Sequence, residues 1–164
     1  IQSEKLPLQK EYNALISASG KIVHVHSEDE EVAGLSPTGS HIILNRGGVN
    51  IDIAAWWAHN TYPSTWLQSV EDGKRICIKA FGKPHSRIDC SFSPTGRWIY
   101  YWDADSGHYM SVNPQTGEIA NIPATLPESV ANDMTQRVIK YPVGMIGWYA
   151  GDTALLLYGN YDIW

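Results

Sequence analysis

Phenylalanine is almost missing from this chain: two Phe stand against seven Trp and nine Tyr. The rings it does carry are amphipathic, suited to half-buried sheet faces and contact surfaces. Long apolar runs are missing too, and none approaches the roughly 18 residues of a membrane-spanning helix, so no membrane partner is expected. Positive charge is sparse and scattered, with twelve Lys and Arg against seventeen Asp and Glu and a net charge of −5. Phosphate backbones are bound by clustered cations, which makes nucleic acid an unexpected partner. Cysteine is limited to Cys77 and Cys90, each in an apolar, strand-like run. Two cysteines neither demand nor exclude a disulfide; burial as small hydrophobes is the expectation and a disulfide the alternative. Ile1 stands first and no signal-peptide apolar region follows it, so the chain reads as a piece of a longer protein. What remains is a globular composition, 43% hydrophobic over 164 residues, enough for one domain with a core.

The opening stretch, Ile1 to Ala14, is mixed and polar around Pro7 and reads as a linker or an incomplete first strand. Beyond it, short apolar strands are broken by turn signals, with little sign of long helices. One pattern repeats. Leu35-Ser36-Pro37-Thr38-Gly39-Ser40-His41-Ile42-Ile43-Leu44 returns as Phe92-Ser93-Pro94-Thr95-Gly96-Arg97-Trp98-Ile99-Tyr100-Tyr101, with Ser36 and Ser93 57 residues apart. A looser third copy, Gly147 to Leu157, lacks the Ser-Pro pair but keeps the plan of apolar residue, tight polar turn and apolar strand. Proline presets φ early in such a turn, glycine supplies a positive φ, and a serine before proline can bond the turn backbone. The strand after each turn is too apolar for a sheet wet on one face and predicts coverage on both.

A second hairpin follows each full copy. Trp66 to Val70 turns at Glu71-Asp72-Gly73-Lys74 into Arg75 to Ile78, and Tyr109 to Val112 turns at Asn113-Pro114-Gln115-Thr116-Gly117 into Glu118 to Ile122. Asp-Gly and Thr-Gly between alternating strands are hairpin signals. Each unit thus holds four strands, and four-stranded units at a period of roughly 40 to 60 residues predict a β-propeller. The expected fold is all-β: a partial propeller of about three four-stranded antiparallel blades, with WD40-like or TolB-like repeats. Residues 1–164 form a single propeller fragment, with units at about 15–80, 81–125 and, incomplete, 143–164. Two stretches interrupt the period. Asn45 to Ser64, with Trp56-Trp57 and Tyr62-Pro63, reads as a long loop. Glu128 to Val138, between Pro127 and Pro142, predicts a short surface helix.

Phe92 to Trp102 resembles the blade motif of the prolyl oligopeptidase (S9) family of serine peptidases, in its dipeptidyl-peptidase-like and acylaminoacyl-peptidase-like branches. Tyr109 to Ile122 resembles the hairpin that follows it, and Gly147 to Trp164 resembles the next blade of large bacterial members. The resemblance covers about residues 33 to 164. It implies a non-catalytic propeller that gates or orients peptide substrates for a C-terminal α/β-hydrolase domain absent from this chain. It also favours a periplasmic or secreted setting. The family's nucleophile sits in a Gly-x-Ser-x-Gly elbow, and no such pentapeptide occurs here; Ser17-Ala18-Ser19-Gly20 comes nearest and lacks the first glycine. The chain alone is therefore not expected to hydrolyse peptides, and no catalytic, cofactor or substrate residue is assigned. The Ser-Pro-x-Gly turn also occurs in the translocation protein TolB, so the alternative is a TolB-like binding or scaffold propeller with no peptidase. A carbohydrate-active propeller is a third, weaker reading, needing acids that face a central channel. Open blade faces make self-association a further possible contact.

Four local features invite a sharper reading. His24 and His26 alternate on a strand, putting both imidazoles on one face as in a metal pair, but further ligands are not evident, and a solvated strand face is expected. Glu28-Asp29-Glu30-Glu31 reads as a solvated acidic turn. Asp103-Ala104-Asp105-Ser106-Gly107 looks like the start of a calcium loop, yet Gly107 and Pro114 stand where an EF-hand needs acids, so a hairpin turn is expected. Trp56, Trp57, Tyr62 and Trp66 suggest either an aromatic contact surface or packing between blades. Packing is expected there and for Tyr158, Tyr161 and Trp164.

Overall fold

A computed structural model of the chain describes residues 12–16, 19–27, 29–47, 64–79, 90–133 and 140–164. Among these residues the protein is all-β apart from one 3-10 turn at Ala150–Asp152. A short hairpin comes first, β1 (Ala14–Ile16) with β2 (Ile22–Val25). Two four-stranded antiparallel sheets follow, each in plain meander order. The first is β3 (Glu30–Leu35), β4 (His41–Arg46), β5 (Ser64–Ser69) and β6 (Arg75–Lys79). The second is β7 (Ser91–Phe92), β8 (Ile99–Asp103), β9 (His108–Val112) and β10 (Ile119–Asn121). A final hairpin pairs β11 (Gly144–Trp148) with β12 (Leu155–Tyr158), and a bridge from Tyr158 to Ile163 adds the start of a further return.

The turns that join the first two strands of each sheet are the repeated motif, and all three copies share one hydrogen-bond scheme. Ser36, Ser93 and Tyr149 each donate an amide to a carbonyl five residues on, those of His41, Trp98 and Ala154, at 2.8–2.9 Å. Gly39, Gly96 and Asp152 each donate back to the carbonyl of the first turn residue at 2.8–3.0 Å. The serine hydroxyls act as expected: Ser36 Oγ accepts the His41 amide at 3.1 Å and Ser93 Oγ the Trp98 amide at 2.9 Å. The third turn thus begins at Tyr149, 56 residues after Ser93. Its fourth residue, Asp152, takes a positive φ of 56° where the others use Gly39 (70°) and Gly96 (77°). Aspartate is among the few residues that tolerate this region.

Sheet faces alternate as strand geometry requires. On one face of the second sheet, Ile99 and Tyr101 of β8 stand beside Val112 and Met110 of β9, and pack with Ile43, Leu67 and Ile78 of the first sheet. On the other face, Trp102 lies edge-on to Tyr109 at 5.0 Å and joins a cluster with Val130, Met145, Leu155 and Leu157. Central strands β4 and β8 are apolar because both faces pack: Tyr100 and Trp102 of β8 are half-buried, and Ile42, Ile43 and Leu44 of β4 are all buried. Each such side chain contributes about 1.5–3 kcal/mol. The sheets also meet at their first strands, with β3 beside β7.

Three expectations are corrected. No helix forms over residues 128–133: Ala131 bridges to Pro142, Val130 is buried in the second cluster, and the carbonyls of Ser129 and Ala131 accept from the Asn160 side chain at 3.2 and 2.8 Å. Burial of Val130 and backbone pairing with distant partners outweigh the helix-friendly composition; residues 134–139 lie outside the described residues. Cys77 is exposed and Cys90 half-buried against the core cluster, and neither is in a disulfide. Tyr158 and Tyr161 stay exposed, the latter by 87%, while Trp164 is half-buried and donates Nε1–H to Glu128 at 2.7 Å. Trp56, Trp57 and Tyr62 lie outside the described residues, as does most of the 45–64 loop.

Candidate functional site

Three polar arrangements stand out, each where two sheets meet. The first is a clasp between the second and third repeated turns. Asp152 is 2% exposed, and its carboxylate accepts the Thr95 amide at 2.9 Å and the Thr95 hydroxyl in a short bond. The Ser93 hydroxyl and the Arg97 amide add to these in drawing the carboxyl down. Burial alone would raise this carboxyl, but these groups outweigh it and hold the group below the ordinary carboxylate value. The first and second turns touch differently: Gly96 lies against Pro37, where an added Cβ would meet Cδ at 3.2 Å. Without a carboxylate opposite them, Ser36, Thr38 and Ser40 bond one another through their hydroxyls at 2.8–3.4 Å.

The second arrangement ties the β1–β2 hairpin to the first four-stranded sheet. Arg75, at the start of β6, grips Glu30 of β3 with both terminal nitrogens. Its Nε–H donates to Gln68 Oε1 at 2.9 Å, and one Nη2–H donates to His24 Nε2 at 2.7 Å. Arginine only donates, so His24 Nε2 is the acceptor and its proton sits on Nδ1. His26 packs edge-on to His24 at 5.0 Å, is 2% exposed, and among the described residues has no hydrogen-bond partner at either ring nitrogen. Burial and the neighbouring His24 push His26 below its ordinary value, against a smaller upward pull from Glu30. For Glu30, burial pushes up, and the Arg75 bonds overcome it, so the carboxyl sits low.

This network corrects two readings. His26 is not on a solvated strand face, and Glu30 is not part of a solvated turn; it is buried and paired. Asp29 and Glu31 are exposed as expected, Asp29 paired with Arg46 at 3.0 Å, and Glu28 lies outside the described residues. The two imidazoles do lie together, 5.0 Å apart, but His24 Nε2 is engaged by the Arg75 guanidinium. Among the described residues no group of three His, Cys, Asp or Glu converges on a cation site.

The third arrangement is a cleft of about 380 Å³ between the β5–β6 turn and the β9–β10 turn, lined by His41, Asp72, Lys74, Arg75, Pro114 and Gln115. Lys74 pairs with Asp72 at 2.9 Å; with the Ser69 hydroxyl and its own amide it draws the Asp72 carboxyl down to about 2. Burial lowers His41, with Asp72 pulling the other way. The cleft offers a polar rim over an apolar floor of Leu67 and Ile76, and on that rim His41 Nδ1 hydrogen-bonds the Ser40 hydroxyl at 2.9 Å.

At Asp103–Gly107 the sequence reading holds. The segment is the β8–β9 hairpin turn, closed by the Gly107 amide on the Asp103 carbonyl at 2.8 Å and by Ser106 Oγ on Asp103 Oδ2 at 2.7 Å. Trp66 is half-buried and donates to Ser64 Oγ at 2.7 Å. Asp152 went unnoticed in the sequence, although its alignment with Gly39 and Gly96 was the available signal. No family model matches the chain, and neither does any curated protein or solved structure.

Proposed function

We propose that this chain is an arc of a β-propeller that acts as the non-catalytic gate of an S9-type serine peptidase, admitting and orienting peptides for a hydrolase domain elsewhere in the same polypeptide. One observation carries the propeller half of the reading. Three equivalent turns stack in sequence, Gly96 on Pro37 and Asp152 on Thr95, so each sheet is offset from the last by the same kind of step. Sheets packed face to face, with first strands β3 and β7 side by side, suit blades radiating from an axis. A two-sheet sandwich would use one inner face per sheet, whereas the second sheet here buries both.

The peptidase half rests on the resemblance of Phe92–Trp102, Tyr109–Ile122 and Gly147–Trp164 to S9 blades. In this reading the chain supplies no reacting group. Its contribution is exclusion by size, with the propeller covering the hydrolase active site and the rigidity of the stacked turns fixing the aperture. The test is active-site labelling of the natural polypeptide that carries this chain, using a fluorophosphonate probe. Label on a serine outside residues 1–164 is the expected result. No labelled serine would leave a binding propeller of the TolB type, and the peptidase reading would be withdrawn.

A further inference from the structure

The β1–β2 hairpin reaches the first four-stranded sheet through ionisable groups. From β2 comes His24, and just beyond it His26; from β3 comes Glu30; from β6 comes Arg75; from the β1 side the Asn13 carbonyl accepts the His26 amide at 2.8 Å. In the docked state this set is balanced, one guanidinium against one carboxylate. We propose that the contact is an acid-released latch: protonation of His24 and His26 undocks the β1–β2 hairpin from the neighbouring sheet.

The geometry gives two independent reasons. A proton on His24 Nε2 removes the lone pair that accepts from Arg75 and sets two cations 2.7 Å apart. A second proton on His26 creates an ion in a site 2% exposed, with another imidazole 5.0 Å away and, among the described residues, no acceptor at either ring nitrogen. Glu30 offsets the added charge only in part, because its oxygens already accept from Arg75 and from the Ser27 amide at 3.1 Å. Once undocked, both rings are free to protonate in water.

The sign follows from linkage. His26 titrates below 6.5 when docked and near 6.5 when free, so docking is complete above about pH 6.5 and weakens as pH falls below it. If the docked His26 ring takes up no proton, its titration makes undocking at pH 5 about 30-fold more favourable than at pH 7.5.

Amide hydrogen exchange of the protein, compared between pH 7.5 and pH 5 after correction for intrinsic rates, tests this. Protection over residues 22–26 should fall by about 10- to 30-fold while that over residues 99–112, in the second sheet, is retained. His24→Gln, which keeps an acceptor for Arg75 without a titrating group, combined with His26→Leu, should flatten the pH dependence. Unchanged protection of 22–26 in the parent sequence at pH 5 overturns the latch, whether or not the variant folds. So does a pH dependence that survives in the double variant.

Discussion

The Asp152 carboxylate is the best-defined link between successive units, and Asp152→Asn tests it without disturbing the backbone, since asparagine accepts the positive φ of 56° as readily as aspartate does. The carboxylate accepts from the Thr95 amide and hydroxyl, and the Ser93 hydroxyl and the Arg97 amide also draw it down. An amide keeps one acceptor oxygen and turns an NH₂ toward the other donors. About two bonds to a charged acceptor are lost in a site 2% exposed, at roughly 1.5 kcal/mol each, for a destabilisation of about 3 kcal/mol. With an m-value of about 2 kcal/mol/M, the urea midpoint should fall by roughly 1.5 M at pH 7. The acid limb supplies a second check. The folded carboxyl lies below its unfolded value of 3.8, so its stabilisation is present above that pH and is lost as pH falls through the folded value. The gap between the parent protein and the variant should therefore close on acidification below about pH 4. Tryptophan fluorescence follows the transition, since Trp148 on β11 stacks edge-on to Tyr100 at 5.6 Å across the same junction. A midpoint shift below about 0.3 M at pH 7, or a gap that persists at low pH, refutes the clasp.

Three further outcomes follow from the packing. Leu157→Ala, at 1% exposure in the cluster between the second and third units, should cost about 3 kcal/mol by denaturant titration, whereas exposed Ile119→Ala should cost under about 1. Gly73→Ala and Gly117→Ala both meet a positive φ, but at Gly117 the new Cβ would also lie 3.0 Å from Ile76 Cγ2; expected losses in chemical denaturation are about 1 and about 2–3 kcal/mol. In a thiol titration with a disulfide reagent, both cysteines should react, Cys77 first, and Cys77→Ser should abolish the fast phase. Burial raises the Cys77 thiol above 9.0, so that phase should still be accelerating at pH 9.

The repeated turns were legible in the sequence because their chemistry is local. Proline and glycine restrict φ at fixed places, and Ser36 and Ser93 bond amides only five residues away. The third turn was legible by its plan alone, as Tyr149 to Ala154 holds the same bonds without the Ser-Pro pair. Strand coverage was legible as well, since a strand such as Ile42-Ile43-Leu44 has no polar face to offer water. What escaped was set by partners distant along the chain. Glu30 looks like one of four solvated acids until Arg75, 45 residues on, closes over it. His26 looks like part of a solvated strand face, yet it is 2% exposed beside His24. Asp152 bonds Thr95 across 57 residues, a distance over which no local pattern operates. Segment 128–133 has a helix-like composition, yet its backbone bonds go to Asn160 and Tyr141 instead of to itself. Cys77 sits in an apolar run, but on the face opposite Ile76 and Ile78, which pack toward the second sheet.

The central claim is that these units are successive blades around an axis, with a hydrolase domain at one mouth of the ring. Cryo-electron microscopy of the natural polypeptide tests it most directly. The account predicts a closed ring in which the turns at 36–40, 93–97 and 149–153 follow one another around one rim, strands β3 and β7 line the channel, and an α/β domain covers an opening. A structure in which the two four-stranded sheets form an isolated sandwich, or in which the ring stands with no second domain over it, contradicts that account.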